Sequence, residues 1–88
     1  MPARSVTSGF RYVYLLESGA PQGGFYTGMT DDLAARLAAH NAGQVSSTRR
    51  GRPWAIRVAI AFRDPVRAAA FERYLKSGSG RAFAIRHL

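Results

Sequence analysis

Apolar and polar positions divide the chain into a few short ordered stretches. Phe10-Arg-Tyr-Val-Tyr-Leu-Leu16 is aromatic and β-branched, and predicts a strand buried on at least one face. Ser18 to Gly24 is a turn-rich loop, and Phe25-Tyr-Thr-Gly-Met29 follows as a second short strand, so the pair predicts a β-hairpin. Gly28 inside that strand marks a bulge, or a place where another backbone or a ligand comes close. Thr30 is placed to cap the next helix, with Asp31 and Asp32 in its first turn, where the dipole favours acid. That helix runs through Leu33, Arg36, Leu37 and His40 and ends near Gly43.

Ser46 to Pro53 reads as a basic, hydroxyl-rich loop with room for a short extra turn. Trp54 to Phe62 reads as a third strand, long enough to be central, with Trp54 itself as core. Asp64-Pro65 opens a second helix, Asp as cap and Pro at the first helical position. It continues through Phe71, Glu72 and Leu75 and stops before Gly78; a last short helix is expected from Arg81 to Leu88. The order β-β-α-β-α-α predicts an α/β (α+β) sandwich of one small sheet with helices.

Composition narrows the class. A chain of 88 residues has room for one core, so residues 10–88 are expected to form a single domain behind a flexible N-terminus, residues 1–9. The absence of cysteine excludes a disulfide framework and a thiolate metal site. With no secretory leader and no apolar run near spanning length, a soluble cytoplasmic protein is expected, without a membrane partner. Charge adds the strongest clue: 13 basic residues, all but Lys76 arginine, face 5 acids, for a net +8 and a pI near 11.4. That balance points to a polyanion, and nucleic acid is the commonest one. Arginine's planar fork suits phosphate.

Several polar side chains sit where a surface residue does not belong. On a helical wheel His40 falls on the Leu33–Leu37 stripe and Arg36 at its edge, so both face the core rather than water. A charged group there has to find a partner, line a cleft or snorkel. Glu72 lies on the stripe of Ala68 and Leu75, where a lone carboxylate is costly unless paired. Bland alternatives exist for each: Arg36 paired with Asp32, His40 as a satisfied border histidine beside Asn41, Glu72 paired with Lys76 one turn on.

Tyr12-Val13-Tyr14, Tyr26-Thr27-Gly28, then Thr30, Asp31, Leu33, Arg36-Leu37, His40-Asn41 and Gly43 together resemble the GIY-YIG endonuclease superfamily. Ala70 to Gly78 is similar to a second signature of its small stand-alone members, which resemble the nuclease domain of the excision-repair incision subunit. Thr27 replaces the isoleucine of the second triplet, and the first lacks its glycine. The resemblance covers roughly residues 10–85 and implies a GIY-YIG-like fold with a small three-stranded, mainly antiparallel sheet. It implies a metal-dependent DNA endonuclease of DNA repair or processing, acting alone or in a larger repair complex and leaving a 3′-hydroxyl and a 5′-phosphate. In it Tyr26 orients or deprotonates the attacking water and Tyr14 assists. Arg36 binds the scissile phosphate, His40 bonds the phosphate or assists proton transfer, and Glu72 holds one Mg²⁺ or Mn²⁺. Glu72 suits a hard ion that takes few protein ligands and several waters. Ser47, Thr48, Arg49, Arg50, Arg52 and Lys76, with Arg57 and Arg63, are expected to grip the nucleic-acid backbone. The alternative is a non-catalytic nucleic-acid-binding module or accessory subunit of the same fold.

Overall fold

A computed structural model describes residues 9–88. Apart from Gly9, the N-terminal segment expected to be flexible lies outside the described residues. The hairpin forms from β1 (Arg11–Ser18) and β2 (Phe25–Thr30), and β3 (Trp54–Phe62) joins it in an all-antiparallel sheet of order β2-β1-β3. β1 is therefore the central strand, and the expectation that β3 would be central is corrected. The reason lies in the side chains. Val13 to Leu16 are consecutively buried, as a strand covered on both faces requires, whereas β3 is mostly exposed at Ala55, Arg57, Ala59 and Ala61.

Helices cover the two faces. α1 (Leu33–Asn41) lays Leu33 and Leu37 against Tyr14, Leu16 and Trp54. On the other face, α2 (Pro65–Leu75) and α3 (Gly78–His87) close over Val13 with Ala68, Leu75, Phe71, Phe83 and the terminal Leu88. Among the described residues, no helix is long and apolar enough to cross a membrane.

Register decides what the first face can present. Tyr14 stands opposite Gly28 and Leu16 opposite Tyr26, so the side chains of Tyr14 and Tyr26 share the α1 face. A Cβ at residue 28 would collide with the Tyr14 ring and hydroxyl. Gly28 is thus the close approach its position suggested, and no bulge occurs there. The sheet's irregularity lies instead between Leu15 and Leu16 opposite β3, where Arg57 is the extra residue.

Helix starts differ from expectation in two places. Asp32, not Thr30, caps α1, accepting from the Ala35 amide at 3.1 Å, while the Thr30 hydroxyl accepts from the Asp32 amide. Asp64 caps α2 as expected. α3 starts three residues earlier than Arg81, because Ser77 caps it through the Gly80 amide at 3.1 Å. Gly78 to Gly80, left between the two expected helices, form its first turn, and Gly80 permits this by sitting against the Tyr74 carbonyl, where no Cβ fits.

Gly80→Ala is therefore expected to destabilise the protein by about 1–3 kcal/mol, the usual cost of forcing atoms into packed space. Gly78→Ala, in open space, is expected to be neutral or to stabilise by up to about 1 kcal/mol. Urea denaturation of the two variants checks the contrast.

Candidate active site

The site grows outward from His40. Four residues beyond Arg36 on α1, His40 is fully buried, and both ring nitrogens are occupied: Nε2 by the Tyr14 hydroxyl at 2.9 Å, Nδ1 by the Thr48 hydroxyl at 2.8 Å. Thr48, itself 1% exposed, also reaches the Val45 carbonyl at 3.2 Å. The imidazole ring meets Tyr26 edge-on at 4.9 Å between centroids. Burial, and then the nearby Arg36 charge, lower the pKa of His40, so the ring is held neutral near pH 7. A neutral ring satisfied at both nitrogens is a cheap group to bury. His40 is thus satisfied, by a tyrosine and a threonine, but it lies fully inside the core rather than at its border.

Tyr14 joins this core to the surface side of the site. It is 2% exposed, and burial pushes its phenol up, against the opposing pull of a hydrogen bond from Arg36. That bond, with a lesser one to Tyr26, in turn raises Arg36. Arg36 therefore faces the two tyrosines. The Asp32 carboxylate caps the helix, and no ion pair between Asp32 and Arg36 is found among the described residues. Tyr26 is half-buried, 6.4 Å from Tyr14 between ring centroids. Tyr14, Tyr26, Arg36 and His40 thus form one contiguous cluster assembled from β1, β2 and α1.

Glu72 approaches from α2. Its side chain is 18% exposed and pairs with the single lysine, Lys76, at 2.7 Å; this hydrogen bond is the main cause of the raised Lys76 pKa. The pair is close enough for Glu72 to raise Tyr14, and for both tyrosines to raise Lys76. A cluster of three or more metal-ligating side chains does not occur among the described residues. What remains fits a hard divalent cation bound largely through water: one partly accessible carboxylate, with Lys76 on Oε2 and no ion pair on Oε1 among the described residues.

Ser46–Gly51, expected as a loop, is a single 3₁₀ helix, η1. Ser47, Arg49, Arg50 and Arg52 are exposed on or beside it. The guanidinium groups of Arg49 and Arg52 are steadied by the carbonyls of Gly43 and Arg49, at 2.9 and 2.8 Å. Thr48 departs from its neighbours and from the expectation that it contacts nucleic acid: its hydroxyl is turned inward to His40. Arg57 lies on the opposite sheet face, bonded to Glu17 at 3.1 Å and to the Leu88 carbonyl, over the Phe25 ring. Arg63 stacks over Phe10.

Two residues of this region have structural tasks that the sequence did not announce. Asn41 clasps the Trp54 backbone from both sides, at 2.6 and 3.0 Å, tying the end of α1 to the start of β3. Thr48 held the only buried hydroxyl in a serine- and arginine-rich run, and nothing in that local composition set it apart.

The sequence that builds this site matches a known family. The family model of the GIY-YIG catalytic domain matches residues 10–84. No curated protein and no solved structure matches the chain. The family match spans both tyrosine strands, α1 with Arg36 and His40, and Glu72 on α2, and on it the chain belongs to the GIY-YIG nuclease family.

Proposed function

We propose that the protein is a metal-dependent DNA endonuclease that hydrolyses phosphodiester bonds in DNA repair or processing, in the cytoplasm. The observation that carries this reading is the convergence of Arg36 on the hydroxyls of Tyr14 and Tyr26, with buried neutral His40 behind them and Glu72 nearby. Phosphodiester hydrolysis needs an activated water, stabilisation of the charge that builds on phosphorus, and help for the departing oxygen.

Proton placement follows from donor and acceptor counts. The Val45 carbonyl can only accept, so it takes the Thr48 proton, and the Thr48 oxygen accepts Nδ1–H of His40. Nε2 is then the acceptor for the Tyr14 hydroxyl, and the Arg36 guanidinium, which can only donate, stands near enough to the Tyr14 oxygen to pull its pKa down. On this reading Tyr26, the more exposed tyrosine, orients the attacking water. The water's proton replaces that of Tyr14 as the Tyr14 proton passes to His40 Nε2, so both tyrosines end unchanged and His40 ends as an imidazolium. Arg36 binds the scissile phosphate and offsets its developing charge. Glu72 would hold the Mg²⁺ or Mn²⁺, which when bound supplies Lewis-acid stabilisation of the phosphate and its leaving oxygen. Lys76, Ser47, Arg49, Arg50 and Arg52 would hold flanking phosphates without reading sequence.

The Lys76–Glu72 pair favours one second reading, a nucleic-acid-binding module in which the carboxylate stays with its lysine. A cleavage assay on labelled single-stranded, duplex and branched DNA and one RNA, with Mg²⁺, Mn²⁺ or chelator, separates them. The endonuclease reading expects metal-dependent cuts in DNA that drop by at least about 10²-fold in Arg36→Ala and vanish in Glu72→Ala. Binding without cuts, the same in Glu72→Ala, would leave the binding module.

Thr48→Val is expected to leave Nδ1–H of His40 without an acceptor, at a cost of about 1–3 kcal/mol in stability. It should also lower the cleavage rate beyond what the stability loss explains, whereas Thr48→Ser should retain both. Thermal unfolding and single-turnover rates measured side by side check the pair; equal rates in the two variants would remove Thr48 from the mechanism.

A further inference from the structure

The second sheet face holds an open hollow of ≈ 640 Å³ between the end of the β1–β2 hairpin and α3. Its floor is apolar, built from Leu15, Leu75 and Ala84, and flanked by two exposed apolar side chains: Phe25, 58% exposed, and Ile85, 84% exposed. Its charged lining residues are Arg57, Lys76 and Arg81, with no acid among them. Such a volume falls in the range of about 300–1,000 Å³ typical of sites that hold one small organic group.

Two of its walls belong to the candidate active site as well. Tyr26, on the edge strand β2, and Lys76 line the hollow, so it meets the cluster where a phosphate would be cut around that sheet edge, although the Tyr26 ring itself belongs to the α1 face. A ligand reaching from one to the other has an apolar, flat part for the floor and anionic parts for the rim. Duplex DNA offers only phosphate ridges and the edges of paired bases, and leaves an apolar floor unfilled. An unpaired nucleotide offers a base face and its flanking phosphates together, the combination that aromatic, basic grooves bind in single strands.

We propose that this hollow is a subsite for an unpaired base next to the scissile phosphate, so that the substrate is DNA with a single-stranded segment at the cut. This rests on the nuclease reading of the adjoining cluster and narrows its substrate. Phe25 and Ile85 contact the base, and Lys76 and Arg81 take the phosphates on either side. Arg57, already bonded to Glu17, steadies the Phe25 ring from above.

The test measures binding of a short fluorescent oligothymidylate and of a blunt duplex to the full chain in chelator, by anisotropy. Wild type is compared with Ile85→Gln, Phe25→Ala and a control, Val66→Gln, exposed at the start of α2 and outside the hollow. Thermal unfolding confirms that each variant is folded; Ile85 is exposed enough that its replacement leaves packing intact. The ratio of single-strand to duplex affinity is expected to fall about tenfold or more in Ile85→Gln and Phe25→Ala, and to hold in Val66→Gln. An unchanged ratio in both groove variants, or an equal loss on both ligands, overturns the subsite. So does a wild-type dimer that the groove variants dissociate without changing the ratio, since the hollow would then bind a second copy. Cleavage in Mg²⁺ is scored separately: absent cleavage with a groove-dependent ratio removes the nuclease reading and keeps the subsite.

Discussion

The hydrogen-bonded chain Tyr14–His40–Thr48–Val45 is the constraint from which the rest of the site follows. It links a central strand, a helix and a 3₁₀ turn through Tyr14, His40 and Thr48, all buried, and ends on the half-buried Val45 carbonyl. Unpaired, each would cost about 1–3 kcal/mol, so the three elements are held in one relative placement. Gly28 leaves the space the Tyr14 hydroxyl needs, and Asn41 clamps the end of α1 to β3 on the far side of the same histidine. With Tyr14 so held, Arg36 on the preceding turn of α1 lies close enough to both tyrosines for them to raise its pKa.

The 3₁₀ turn has two faces with different tasks. Thr48 points inward to His40, while Arg49 and Arg50 beside it point to solvent. The exposed arginines therefore sit on the same short turn that orients the imidazole. The α2 side is built differently. Glu72 and Lys76 reach the cluster through charge rather than through direct hydrogen bonds to it, and their pairing engages one carboxylate oxygen, with no ion pair on the other among the described residues.

Much of this was legible in the sequence because periodicity and caps carry local information. The element order, the Asp64-Pro65 start and the inward turn of His40 all follow from spacing and caps, whereas the shared face of Tyr14 and Tyr26 depends on the register in which β1 and β2 pair. What was not legible depends on partners distant in sequence. The central place of β1 over β3 depends on which helices cover each face. The early start of α3 depends on Gly80 fitting against the Tyr74 carbonyl, a contact composition does not announce. Thr48 looked like one more hydroxyl in a basic loop until His40 was found opposite it. Arg57 was expected to grip a nucleic-acid backbone; it is the extra residue at the β1–β3 irregularity and is bonded to Glu17.

The central claim is that His40 is a neutral, Nδ1-protonated imidazole accepting from Tyr14. ¹⁵N NMR of the imidazole nitrogens across pH tests it most directly, with exposed His87 giving a separate signal. The account predicts a protonated Nδ1 and an unprotonated Nε2 at pH 7, with charging only at a pH below the ordinary histidine value of about 6.5, since burial and Arg36 lower it. An Nε2-protonated tautomer, or an imidazolium already present at pH 7, would contradict it.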